Sequence, residues 1–245
     1  MKAYSKVNLI LIVYPKTQFN LKHKIHSLFC LYKPLYDEIT IEVAQNTTIT
    51  CEFNHHECAI DTTSTLQALK FLSNKIHKPI YLSIHIKKHI PIMSGLGGSS
   101  TDVAAIMKWI INRWDIQLDA KDYKDIATTI GSDIPFFLSG ISKAEVSGFG
   151  EKVKVFKKNT PKFLPIITNI SISTKDVYKA FDQQKKHPRL NFPNQYKQLL
   201  KGNVSNVNSL QPTAIKLKPI LKWWFSKSNK RFLSGTGGSI IEIIN

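Results

Sequence analysis

The hydrophobic pattern along this chain changes period several times, and each change marks an element. Residues 5–13, SKVNLILIV, alternate as a strand does. Lys6, Asn8, Ile10 and Ile12 fall on one face, and Ser5, Val7, Leu9, Leu11 and Val13 on the other. YDEITIEVA (36–44), TTITCEF (47–53) and IYLSIHIKK (80–88) read as further strands. Between them, STLQALKFLSNKI (64–76) has helical spacing, and Pro79 closes it. Val103, Ile106, Met107, Ile110 and Ile111 form the stripe of an amphipathic helix. A second helix is predicted over 122–130, with Tyr123, Ile126, Ala127 and Ile130 on one face and Gly131 as its stop. A short apolar segment, IPFFLSG (134–140), follows. Near 150 the composition turns basic and gains Pro161 and Pro165, so we place a boundary there, giving units 1–150 and 151–245. The second unit mixes a strand region at 163–173, helices at 175–183 and 214–227, and a last strand at 240–244.

Composition narrows the choices. The chain has 245 residues, 42% of them hydrophobic, which is enough to bury a substantial core. Its net charge of +17 raises nucleic acid as a partner. Nearly all of that charge is lysine, however, with arginine only at 113, 189 and 231, and it is scattered along the chain. Base readout and bidentate phosphate clamps favour arginine, so a small acidic substrate is the better reading. The N-terminal MKAYSKVNLILIV has the outline of an export signal. Lys6 and Asn8 interrupt its apolar run, and no small-residue cleavage site follows. It reads as a buried strand, so a cytoplasmic location and no membrane partner are expected. Cys30, Cys51 and Cys58 make an odd count and are expected as free thiols. The stretch CEFNHHEC holds Cys51, His55, His56 and Cys58. These are zinc-ligand residue types, but the spacing is that of a loop between strands, and no metal is assigned there.

The chemistry concentrates in two places. PIMSGLGGSSTDVAA (91–105) places a glycine–serine loop between a strand and a helix. Free N–H groups of a first helical turn and the helix dipole attract anions, and glycines let the backbone approach phosphate oxygens. Ser99, Ser100 and Thr101 add hydroxyls that can hold phosphate or a magnesium ion. The loop is neither a Walker sequence nor G-x-G-x-x-G. A plain helix start, capped by Ser99 with Asp102 three residues on, remains the alternative. In the second place, GSDIPFFLSG, Asp133 reads either as a helix N-cap or as a carboxylate placed to take a proton from a hydroxyl. Lys6 and Asn8 share a strand face and can enter one site together. An Asp, a Lys and a phosphate loop form a set suited to phosphoryl transfer.

Four stretches in this order resemble the GHMP kinase superfamily: YSKVNLIL, PIMSGLGGSSTDVAA, GSDIPFFLSG and SGTGGS. They span nearly the whole chain. The match is closest to the branch that phosphorylates a cytidine diphosphate substrate in non-mevalonate isoprenoid precursor biosynthesis, and GSDIPFF is its most specific part. The resemblance implies a two-domain α+β fold with the active site in the cleft between domains. It implies an ATP-dependent kinase acting on an alcohol group, with Mg2+ as cofactor. Asp133 would be the base and Lys6 its partner. Lys88, Pro91, Ser94, Gly95, Leu96, Gly97, Gly98, Ser99 and Ser100 would bind ATP, with Ser99 or Ser100 available to magnesium. Asn8, His26, Tyr178, Gly235 and Thr236 would bind the substrate, His26 at the cytosine edge and Tyr178 on its face. The chain departs from the pattern at Ile25, where the family has a tyrosine, and around Thr63, where it often has an asparagine near the adenine. Kinases of the homoserine or mevalonate type are the nearest alternatives, and a basic RNA-binding protein is the alternative from another class.

Overall fold

The computed structural model describes residues 1–18 and 22–244. Its larger sheet is built around one long strand. β1 (Lys2–Val13) pairs antiparallel with β2 (Ile25–Val43), so the segment read as a strand at 36–44 is the end of an element that starts eleven residues earlier. β3 (Thr48–Phe53) turns through Asn54 and His55, both at positive φ, into the short β4 (His56–Glu57). That is the backbone geometry of a tight two-residue hairpin. The strand order is β4-β3-β5-β2-β6-β7, with β1 on β2, where β5 is Leu82–Lys88, β6 Lys143–Gly148 and β7 Lys152–Val155. A smaller sheet is ordered β8-β10-β9, from Lys162–Ile166, Ile240–Ile244 and Arg231–Leu233. The chain passes from the larger sheet to the smaller one at 156–161.

Helices cover one face of the large sheet. α1 (Thr63–Ile76) and α2 (Gly98–Trp114) pack there, and Ile84, Ile86, Ile106, Met107 and Ile110 form the core between layers. The stripe predicted for α2 is the stripe it buries. α3 (Ala120–Asp125) starts with a capping box between Asp119 and Asp122 and continues as a wider helical turn to Ile130. α4 (Ile134–Leu138) is the apolar IPFFL segment, and its side chains Ile134 and Phe136 are sealed.

A second core lies across the sheet, where Val7, Leu9, Ile10, Ile12 and Leu28 meet Phe192, Leu199, Phe232 and Ile241. It joins β1 to α6 (Phe192–Leu200), β9 and β10, while α5 (Thr174–Asp182), α7 (Gln211–Leu217) and α8 (Leu221–Ser226) pack on the first core through Val177, Phe181, Ala214 and Leu221. The helix expected over 214–227 is broken into α7 and α8 around Pro219, which cannot continue a helical hydrogen-bond ladder. α6, capped by Asn191 with a proline in its first turn, was not apparent from spacing alone. Both sides of β1 are buried, so a polar residue on it must have a partner or a function.

Candidate active site

A cleft of about 600 Å³ opens along the glycine loop and draws its walls from both halves of the chain. Lys6 and Asn8 of β1, Asp133, Ser94 to Gly95, Gly97 to Ser100, Tyr178, Gly235 and Thr236 all face it. Of the expected ATP-loop residues, Lys88 and Pro91 also line it, while Leu96 is fully buried in the second core and holds the loop down instead.

The strand alternation that placed Lys6 with Asn8 is correct for those two and fails beyond them. The β1–β2 register slips between Asn8 and Ile10. A slip of this kind flips the following side chains to the other face. Leu11 therefore joins Lys6 and Asn8 at the cleft, and Ile10 and Ile12 turn into the second core.

The loop reaches α2 through Gly97, which sits at φ +78 and caps the helix without a side-chain bond. Ser99 lies inside the first turn, and Asp102 is engaged elsewhere, so the plain capped-helix alternative does not describe this start. The helix presents its first-turn amides to the cleft uncapped, which is the anion-binding arrangement. A Cβ on Gly97 would stand 3.0 Å from Lys6 and from the ring of Phe137. The C-terminal glycine turn packs directly on this loop. A Cβ on Gly237 would come within 2.1 Å of the Gly95 nitrogen, and Ser239 N donates to Ser94 O at 3.0 Å. The two glycine motifs are thus one structure, and Gly95 and Gly237 allow their close loop-to-loop contact.

Asp133 occupies the N-cap position of α4 but makes no cap bond there. Its carboxylate turns into the cleft, where Lys6 Nζ approaches Oδ2 at 3.1 Å. Lys6 also donates to Asn8 Oδ1 at 2.6 Å, and Asn8 Nδ2 donates to Ser27 Oγ at 3.0 Å. The ammonium lies 4.8 Å from the centre of the Phe29 ring. Lys6 is 4% exposed and Asp133 22%, so the buried cation fixes a carboxylate that solvent or a ligand can still reach. Behind the loop a second lysine has a different environment. Lys88 Nζ contacts Asp37 at 2.5 Å and Asp102 at 2.7 Å, and all three are buried, with Lys88 and Asp102 edging the cleft. Asp37 also accepts from the His89 and Ile90 amides. Burial works against the Lys88 ammonium, but Asp102 and Asp37 outweigh it and its pKa stands raised. Burial, with the charge of Asp37, pushes Asp102 above the usual carboxylate range despite Lys88.

Tyr178 of α5 stands at the cleft wall. Burial and the nearby Asp133 charge raise the pKa of its hydroxyl. One side of its ring packs against His23, with centroids 5.0 Å apart. Ile25 faces the cleft as well. His26, its neighbour on the strand, points the other way and is not among the lining residues. Its ring stacks on Phe192 at 4.4 Å, and Nε2 meets Glu145 Oε1 at 2.6 Å. Thr236 Oγ1 and Thr174 Oγ1 are 2.7 Å apart. Sequence reasoning did not find Asp61, Ser64, Thr65, Ser132 or Thr174, which also line the cleft. Thr63 itself opens α1 and donates its amide to Asp61. Among the described residues no cluster of three His, Cys, Asp or Glu could hold a metal ion. Cys51 and Cys58 instead face each other at 2.6 Å across the β3–β4 hairpin, as free thiols.

An uncapped helix start behind a glycine loop, facing a Lys–Asp pair, defines a small-molecule kinase of the GHMP class. A family model described as GHMP kinases N terminal domain matches residues 63–141, from α1 through α4. A 4-diphosphocytidyl-2-C-methyl-D-erythritol kinase of Ureaplasma parvum is 33% identical over 99% of this chain and 94% of its own length. The Campylobacter jejuni kinase of the same name is 31% identical over 99% of both chains. The crystal structure of a 4-(cytidine 5'-diphospho)-2C-methyl-D-erythritol kinase superposes with a TM-score of 0.72 at 25% identity, covering 100% of this chain and 90% of that one. A mevalonate kinase structure shares the fold at a TM-score of 0.56 and 15% identity. The chain belongs to the 4-diphosphocytidyl-2-C-methyl-D-erythritol kinase family.

Proposed function

We propose that this chain transfers the γ-phosphoryl group of ATP to the 2-hydroxyl of 4-diphosphocytidyl-2-C-methyl-D-erythritol. The observation that carries the reading is the carboxylate of Asp133, which leaves its own helix uncapped and is held in the cleft by buried Lys6. A carboxylate so placed can accept the hydroxyl proton as the oxygen attacks. Lys6 keeps it oriented, and Asn8 extends the polar floor toward the substrate. The amides at the start of α2, with Gly95 to Ser100, receive the phosphates and stabilise charge on the transferring group. Lys88 would serve this site from behind, because its ammonium lies 3.2 Å from where a Cβ on Gly98 would stand.

Magnesium fits this donor set as a cation held mainly by phosphate oxygens, with Ser99 or Ser100 supplying a hydroxyl. When bound, it neutralises charge between the phosphates.

Tyr178 would stack the cytosine on the ring face not covered by His23. The expected edge reading by His26 has no support in this arrangement, since its ring is stacked on Phe192 and bonded to Glu145 outside the cleft. Gly235 and Thr236 would close the cleft over the substrate. The described residues contain no helix long and apolar enough to cross a membrane, and the reading is of a cytoplasmic enzyme. The test is a coupled ATP-turnover assay with the cytidine substrate, homoserine and mevalonate. Turnover on the cytidine substrate alone supports the proposal. Equal or greater turnover on either other alcohol overturns it.

A further inference from the structure

The charge of this chain is unevenly divided. Residues 183–245 hold eleven lysines and arginines against a single acid, Glu242, while the other sixteen acids lie in residues 1–182. Compositional bias toward lysine does not explain the loss of acids from one end. Glu242 is itself neutralised, because Arg231 Nη2 reaches it at 2.9 Å.

Within this basic end, the turn from α7 into α8 exposes large apolar side chains. Leu217 is 40% exposed, Ile220 54% and Trp223 50%. They follow one another at three-residue spacing, and the amides of Leu221, Lys222 and Trp223 bond back to the carbonyls three residues before them. Ile220 and Trp223 therefore share a face. Leu221, between them, is fully buried and pins the turn to the core. Lys216, Lys218, Lys222 and Lys227 are exposed around the patch, and Lys227 Nζ lies 4.5 Å over the Trp223 ring. None of these residues lines the cleft.

We propose that the Leu217–Lys227 turn docks on an anionic phospholipid surface. Apolar side chains flanked by lysine, with a tryptophan among them, match what an acidic bilayer interface offers: acyl chains for Leu217 and Ile220, the headgroup layer for Trp223, and lipid phosphates for the lysines. A second copy of the chain fits poorly, because a two-fold contact would bring two lysine-rimmed patches of the same charge together. RNA fits poorly too. Exposed aliphatics have no base to stack on, and Arg231 is occupied by Glu242. A peripheral contact of this kind departs from the expectation of no membrane partner and requires no spanning helix. It stands independently of the kinase assignment.

The experiment is sedimentation of the full chain with vesicles of 70% phosphatidylcholine and 30% phosphatidylglycerol. Vesicles of phosphatidylcholine alone and a 20-nucleotide RNA serve as comparisons. The chain should sediment with the anionic vesicles, remain in solution with the neutral ones, and be released by 0.5 M salt. Ile220→Ser/Trp223→Ser and Lys218→Gln/Lys222→Gln/Lys227→Gln should each bind about tenfold more weakly or less. Their unfolding midpoints and ATP turnover should match wild type, because these side chains face solvent. The proposal is overturned if wild type stays in solution with anionic vesicles or if both variants sediment like wild type. Light scattering that shows a dimer abolished by the apolar variant also overturns it, as does RNA binding tighter than vesicle binding.

Discussion

Two buried lysines in this molecule have aspartate partners, and they differ in what is left over. Lys88 is held between Asp37 and Asp102 at the edge of the cleft, and Asp37 also collects two backbone amides, so its ammonium is already shared by two buried carboxylates. Lys6 is equally buried, yet its partner Asp133 keeps part of its carboxylate open to the cleft. The first arrangement fixes the strand β5 to the start of α2. The second fixes one carboxylate and leaves it reachable. A buried ion pair is therefore no mark of a site by itself. The mark is a carboxylate that gives up a local hydrogen bond, here the N-cap of α4, in order to face a cavity.

The largest effect expected separates these two pairs by rate. Asp133→Asn keeps the shape and removes the base, so kcat should fall ~10²- to 10⁴-fold, while the urea midpoint falls far less than the rate, because the amide oxygen can still accept from Lys6. A kcat within twofold of wild type would remove Asp133 from the chemistry and erase the contrast. Lys88→Met is the converse. It strands two buried carboxylates, and breaking a buried pair in this way costs about 3–5 kcal/mol. Equilibrium urea unfolding should show a large loss of stability. An unchanged midpoint would mean that Lys88 is not structural and that its place is with the phosphates.

Much of this contrast was legible in the sequence, and the illegible part has a physical cause. Lys6 and Asn8 on one strand face, the glycine loop and Asp133 follow from short-range pattern. The flip after Asn8 does not, because a bulge depends on the partner strand β2. The engagement of Lys88 by Asp37 spans 51 residues and is set by the β2–β5 pairing, which no local window contains. His26 matched a motif, but strand alternation sends its side chain to the face opposite Ile25, against Phe192 of a helix that spacing did not show. Gly235 and Thr236 read as substrate contacts within a glycine-rich turn. The structure shows that Gly237 and Gly238 are also needed for close backbone packing against Ser94, Gly95 and Ile170.

Two smaller effects sharpen the cleft side of the comparison. Tyr178→Ala removes a stacking face, and base–aromatic stacking is worth ~1–3 kcal/mol. Because Asp133 charge reaches Tyr178, steady-state kinetics should be read for both parameters. KM for the cytidine substrate should rise by roughly five- to a hundredfold and kcat should change much less. A fall in kcat with KM unchanged would make Tyr178 part of the Asp133 environment instead of the base site. Ile25→Tyr supplies a second aromatic wall and should lower the same KM by a few-fold, about 1 kcal/mol or less. An increase in KM would show that the cytosine does not lie beside Ile25.

The central claim, that this cleft moves a phosphoryl group from ATP to one hydroxyl of a cytidine diphosphate substrate, is tested most directly by ³¹P NMR. The sample would contain the chain, magnesium, ATP and 4-diphosphocytidyl-2-C-methyl-D-erythritol. The account predicts that ADP and one new phosphomonoester signal grow together in equal amounts, that the substrate diphosphate stays intact, and that nothing grows without the substrate. Release of inorganic phosphate at the same rate with and without the substrate, or no reaction of the ATP at all, would contradict it.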